Sequence, residues 1–134
     1  TLKLPPNSAS YLRYFIRRRL NAKCSSSCIG CEKCFILNDD LLEAAKNDVL
    51  LEHEIISGKY SGHYLRAKDE RNQFFTKEAL NGHIAILNKK VATSNLSSRL
   101  KSQLTLRSLK LDSEDLRLVW KGVSINSEIV EFND

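Results

Sequence analysis

Four cysteines, Cys24, Cys28, Cys31 and Cys34, fall within eleven residues in the pattern C-x3-C-x2-C-x2-C. Two thiolates separated by two residues can face one ion on a tight turn, and Gly30 gives the backbone freedom beside Cys31. Zinc is the expected occupant, held either by all four thiolates or by Cys31 and Cys34 with other ligands. The gaps are shorter than those of the separated knuckles of common zinc folds, so a four-cysteine site is cramped. His53, His63 and His83 are the available substitutes, and His63, in a glycine-containing stretch, has the most freedom to reach a metal.

Other chemistries compete for these sulfurs. Ferredoxin-type runs crowd cysteines at similar gaps, which makes an iron–sulfur cluster the second reading. Residues 24–31 also carry the C-x3-C-x2-C spacing of radical SAM enzymes, but the chain is too short for the barrel such enzymes need. Disulfides within this run would close loops of a few residues, which constrain the unfolded chain little and strain easily. A redox C-x2-C pair of the thioredoxin kind needs a βαβ context that the sequence lacks. Inert thiols are the remaining reading.

Charge is arranged in blocks around the cysteines. The net charge of +5 conceals a stretch, 1–23, with Lys3, Arg13, Arg17, Arg18, Arg19 and Lys23 and no acid, and a second, 71–110, with eight basic residues against Glu78 alone. Residues 24–70 and 111–134 are each net acidic by four. Basic blocks of this kind suit a polyanion, so Arg13, Arg17, Arg18, Arg19, Lys23, Lys89, Lys90, Arg99 and Lys101 are the candidate nucleic-acid contacts, joined by Arg107. Tyr11, Tyr14 or Tyr60 are available to stack on bases. The alternative is a protein-interaction or self-association module with a structural metal, in which the same cations serve solubility or an acidic partner. Pairing of the arginines with the acidic segment around Asp39, Asp40 and Glu43 is the bland reading of the first block.

Catalysis has little support. The sequence has no glycine-rich phosphate loop, no G-x-S-x-G and no H-E-x-x-H. Asp39 and Asp40 are adjacent rather than opposed across a cleft, which suits a helix start. Ser25, Ser26 and Ser27 have no activating base nearby in sequence. We expect a protein that is not an enzyme. No run of 18 apolar residues and no signal-peptide core is present, so no membrane partner is expected.

The elements that position these residues read as helices. Pro5 and Pro6 stop any earlier structure, and Ser8 or Ser10 can cap a helix to about Ala22 with Tyr11 and Phe15 inward, joined by Leu12 and Ile16. Asn38 or Asp39 caps a second helix over 40–52, with Leu41, Leu42, Ala45, Val49 and Leu50 apolar. Residues 57–69, with Gly58 and Gly62, read as a loop or short hairpin. A long helix is expected over 72–93, burying Phe75, Ala79, Ile86 and one of Leu80 and Leu87. Leu96, Leu100 and Leu104, followed by Leu106 or Leu109, continue a helical stripe toward Lys110. Asp112 opens a short helix around Leu116 and Trp120, and 123–132 is a strand or an extended tail.

The segment YLRYFIRRRLNAKC…CEKC, residues 11–34, resembles the region after the catalytic core of P-element and THAP-type transposases, where a tyrosine- and arginine-bearing helix runs into a C-x2-C pair. Tyr14, Arg18, Leu20, Cys31 and Cys34 are the matching positions. Arg13 stands where that helix usually has glycine, and Cys24 and Cys28 lie outside the pattern. The resemblance implies a helical accessory domain of a transposase or a domesticated descendant, acting in DNA binding or assembly, and carries no catalytic residue onto this chain.

The expected fold is mainly α: one small helical domain over 1–134 with a cysteine-rich metal-binding knuckle between the first two helices. Within it, 7–37 form the basic helix and knuckle, 38–121 the helical body and 122–134 an acidic tail. The absence of any Met and the opening TLKLPP suggest a piece of a longer protein. The expected function is that of a zinc-stapled module binding DNA or RNA, in a transposase-like or chromatin-associated protein that is intracellular and nuclear.

Overall fold

The computed structural model describes residues 3–23, 31, 33–59, 76–109 and 120–125. It is mainly helical, with five helices and three short strands among these residues. The first helix, α1 (Pro6–Ala22), starts on a proline, whose fixed φ suits the first helical position and whose missing N–H costs nothing there. Ser8 and Ser10 do not cap it. Both are buried within its first turns, and the Ser8 hydroxyl donates to the His83 carbonyl at 3.0 Å. The helix ends at Lys23, which takes a left-handed conformation (φ 52°) and returns its N–H to the Leu20 carbonyl. Tyr11, Leu12, Tyr14 and Phe15 are buried, while Ile16 packs at the edge of the core.

The stretch expected as one helix over 40–52 is two helices, α2 (Asn38–Leu42) and α3 (Lys46–Lys59). Between them Ala45 donates to the Asp40 carbonyl, and a new helical ladder begins with Val49 donating to Ala45. The break turns Leu41, Ala45 and Val49 all inward, leaving Leu42 and Leu50 half-exposed. No side chain caps α2. Asp39 and Asp40 lie in its first turn, where their charge suits the helix dipole. Residues 57–59, expected as loop, complete α3, and the rest of the 57–69 stretch lies outside the described residues.

Helix α4 (Lys77–Ala92) is capped by Thr76, whose hydroxyl accepts from the Ala79 N–H at 3.1 Å. It buries Leu80, Ile84, Leu87 and Val91. Ile86, expected inside, is 43% exposed, because the buried stripe runs along the neighbouring face; Phe75 lies outside the described residues. Ser97 caps the short α5 (Ser98–Leu104) through its hydroxyl. The helical stripe stops there, and the next residues form strand β2 (Arg107–Leu109). Asn88 holds this turn from α4: its amide donates to the Leu106 carbonyl at 3.2 Å and its oxygen accepts from the Leu106 N–H at 2.8 Å.

Trp120, expected in a helix, begins strand β3 (Trp120–Gly122). β3 is the middle of an antiparallel sheet in the order β1–β3–β2, with β1 (Ile36–Leu37) on one side and β2 on the other. Ile36 faces Lys121, and Ser108 faces Lys121 from the other edge. Of the expected 122–134 tail, Gly122 belongs to this strand and Val123 and Ile125 enter the core; residues 110–119 and 126–134 lie outside the described residues. α1 packs against α3 and α4 and also touches β3, so one core joins the helices to the sheet. No helix among the described residues is long and apolar enough to cross a membrane.

Candidate metal knuckle and basic surface

Cys31 and Cys34 are carried on a turn between α1 and β1. The turn is closed by the Phe35 N–H, which donates to the Cys31 carbonyl at 2.8 Å. Phe35 and Ile36 then anchor it in the core. The two sulfurs are 3.5 Å apart, too far for a disulfide bond. Zinc–sulfur bonds of about 2.3 Å in a tetrahedron put neighbouring sulfurs roughly 3.8 Å apart, so the pair is close to the spacing that an ion would impose. Cys24 and Cys28 lie outside the described residues, so the expected cysteine-rich knuckle is not shown. Among the described residues no group of three or more Cys, His, Asp or Glu gathers at a point. His53 is buried, with its ring bonded to the Asn7 side chain at 3.0 Å, and His83 stacks on the Tyr11 ring; His63 lies outside the described residues.

The last turn of α1 supplies a cation to this turn. Arg19 is 1% exposed, and its Nε donates to the Ile125 carbonyl at 3.1 Å while its Nη1 points at Cys34 Sγ at 3.3 Å. A guanidinium N–H aimed at sulfur favours negative charge there. Arg19 therefore faces the protein interior, not a phosphate-bearing partner.

Its neighbours are also engaged by their own chain. Arg13 and Arg17 both donate to Glu52 on α3, Arg13 Nε to Oε2 at 2.8 Å and Arg17 Nε to Oε1. Arg18 Nη2 donates to the Phe35 carbonyl at 3.2 Å. The acid that pairs with Arg13 and Arg17 is Glu52, which belongs to the acidic segment, 24–70, that also contains Asp39, Asp40 and Glu43. Nothing local announces it, since the partners are 35 and 39 residues apart. Tyr11 and Tyr14, considered for base stacking, are buried, and burial raises both phenols above their usual range, with Arg18 partly offsetting this at Tyr14. Tyr60 lies outside the described residues.

The remaining cations stand differently. Lys23, Lys89, Lys90 and Arg99 are exposed. Lys101 is half-buried, its Nζ donating to the Ala92 carbonyl at 3.0 Å at the end of α4. Arg107 Nη1 donates to the Ser124 hydroxyl across the sheet. Sequence reasoning missed Lys121, a buried lysine on the middle strand whose Nζ donates to the Ser108 hydroxyl at 2.8 Å and whose pKa is lowered by burial. Beside the cysteine turn, α1 and α3 enclose an open groove of about 820 Å3, lined among others by Arg17, Arg18, Lys33, Asp48, Leu51 and Ile55. Leu51 is 57% exposed there. No protein-family model, curated protein or solved structure matches the chain.

Proposed function

We propose that the chain is a metal-stapled basic module that binds nucleic acid. The observation that carries this reading is the surface at the end of α4 and on α5, where Lys89, Lys90 and Arg99 are exposed and Lys101 reaches the α4 terminus. Residues 79–111 contain no acid. Glu78, the one acid of α4, precedes Lys89 by eleven residues, about 16 Å along the helix, farther than charge reaches through physiological salt. Among the described residues no ion pair is shown for Lys89, Lys90 or Arg99, so in this reading they meet an external anion, with exposed Lys23 as a further contact, whereas Arg13, Arg17 and Arg19 serve the fold. In this reading Cys31 and Cys34 bind zinc, with further ligands from the same run, and fix the end of α1 to the sheet. A nuclear accessory domain of a transposase-like or chromatin-associated protein is the role that the resemblance at residues 11–34 favours.

The test is Lys89→Glu with Lys90→Glu, titrated against duplex DNA and single-stranded RNA over a range of salt. Affinity should fall at least tenfold, the slope of log affinity against log salt should flatten by about two, and the melt should be unchanged. Wild-type protein that binds neither nucleic acid at low salt would end this reading. The half-exposed Leu51 in the α1–α3 groove favours the second one, a protein-interaction module with the same structural metal.

A further inference from the structure

We propose that Ser102 is a phosphorylation site for an arginine-directed protein kinase, and that a phosphate there switches off the basic surface at the end of α4 and on α5. The switch rests on the nucleic-acid reading given above, whereas the modification itself does not. Kinases of this class use carboxylates to select a serine or threonine by an arginine three residues before it. Of the nine arginines in the chain, Arg99 alone has a hydroxyl-bearing residue three positions later, and that residue is Ser102. Ser102 is exposed, in the last turn of α5, a helix of seven residues that fully buries none of its side chains. Leu104 at the edge of the core and the bond from Lys101 to the Ala92 carbonyl hold α5 in place. A helix this short has little stability of its own, so it can open locally and present Ser102 in the extended form that a kinase cleft binds, with the core intact.

The phosphoryl donor is ATP. Ser102 Oγ attacks the γ-phosphorus, the new O–P bond forms as the bond to the β,γ-bridging oxygen breaks, the hydroxyl proton passes to the catalytic aspartate of the kinase, and ADP leaves. The product carries about two negative charges in place of a neutral hydroxyl. Arg99, three residues back, lies on the same face of α5, and Lys101 is adjacent in sequence. Near the negative end of the helix the phosphate gains nothing from the backbone, so it draws on these cations instead. Lys89, Lys90, Arg99 and Lys101 supply four positive charges within residues 79–111, which hold no acid. A phosphate on Ser102 is then the one side-chain anion in that stretch, and it cancels about half of the charge of these four. An incoming nucleic acid meets a weaker field and loses contacts with its own phosphates.

The experiment incubates the full chain with magnesium, ATP and a constitutively active calmodulin-dependent serine kinase, a member of the arginine-directed class. Most chains should gain one phosphate, located on Ser102 by tandem mass spectrometry. Arg99→Ala should slow the reaction at least tenfold. Modified and unmodified chains are then titrated against duplex DNA and single-stranded RNA over a range of salt. Phosphate on Ser102 should weaken binding at least tenfold and flatten the slope of log affinity against log salt by about two, and a phosphatase should restore both. Ser102→Ala treated with the same kinase should keep the affinity of the unmodified chain. A Ser102 left unmodified, or phosphate placed mainly elsewhere, would overturn the site, and an equal rate in Arg99→Ala would overturn its recognition through Arg99. Equal affinity with Ser102 phosphorylated would overturn the switch. Unmodified protein that binds neither nucleic acid would end the switch together with the nucleic-acid reading, while the position of the phosphate would still decide the site.

Discussion

The ring of Phe35 covers Gly122 on the middle strand so closely that a Cβ on the glycine would meet Phe35 Cδ1 at 2.5 Å. Phe35 is itself fully buried and follows the cysteine turn directly, so it cannot swing away into solvent. Gly122→Ala should destabilise the protein by about 1–3 kcal/mol, the usual cost of overpacking a filled core. Urea denaturation measures this, and an unchanged midpoint would show that the ring has room to move.

Glu52 receives two arginines while its own side chain is only 5% exposed. Glu52→Ala leaves Arg13 and Arg17, both partly exposed, without their shared acceptor. Discounting for their access to water, the loss should be about 2 kcal/mol. Arg17→Glu places a second carboxylate against Glu52 and should lower the melting temperature as well. Wild-type stability in both variants would make the arginines a solvated face again.

If Cys31 and Cys34 hold zinc, removing it should loosen the junction between α1 and β1. The expected result is about one zinc per chain and a melting temperature that falls on chelation and recovers when zinc returns. Metal-free protein that melts like the loaded form would rule out a staple.

His83 gives a pH dependence of defined sign. Burial against Tyr11 lowers its pKa below 6.5, so the unfolded chain takes up the proton more readily than the folded one. The stability contributed by neutral His83 is present above pH 6.5 and is lost as pH falls below that value toward the folded pKa. A proton NMR titration should place the His83 midpoint under 6.5, and His83→Gln should reduce the loss of stability between pH 7 and pH 5. A midpoint above 6.5 would contradict the burial argument.

The parts of this structure that were legible in sequence are those set by neighbours within a few residues. Tyr11 and Phe15 mark the inner face of α1 because helical spacing is local, and Cys31 and Cys34 mark a turn because two intervening residues leave little choice. In α4 the apolar residues offer two overlapping stripes, one through Ala79 and Ile86 and one through Leu80, Ile84, Leu87 and Val91. Only packing against α1 and the core selects the second. The leucine stripe through Leu104 looked like continuing helix, but Arg107–Leu109 pairs with Trp120–Gly122, a partner that helical periodicity cannot register. The contacts that the arginine run makes within its own chain were hidden for a similar reason. Its fate was decided by Glu52, Phe35 and Ile125, all brought in from elsewhere in the chain.

The middle strand of the sheet is the last of the three in sequence, and Ile125 just beyond it accepts from Arg19, 106 residues earlier. On a ribosome, the chain therefore emerges with both flanking strands exposed and the Arg19 guanidinium lacking its carbonyl until residues 120–125 appear. The helices can pack on one another earlier, but the sheet and the Arg19 contact cannot form in order of synthesis, and such long-range closures come at a larger loop-closure cost than local ones. Until then the β1 and β2 edges are open to other chains, which makes this interval the one in which a chaperone would matter most.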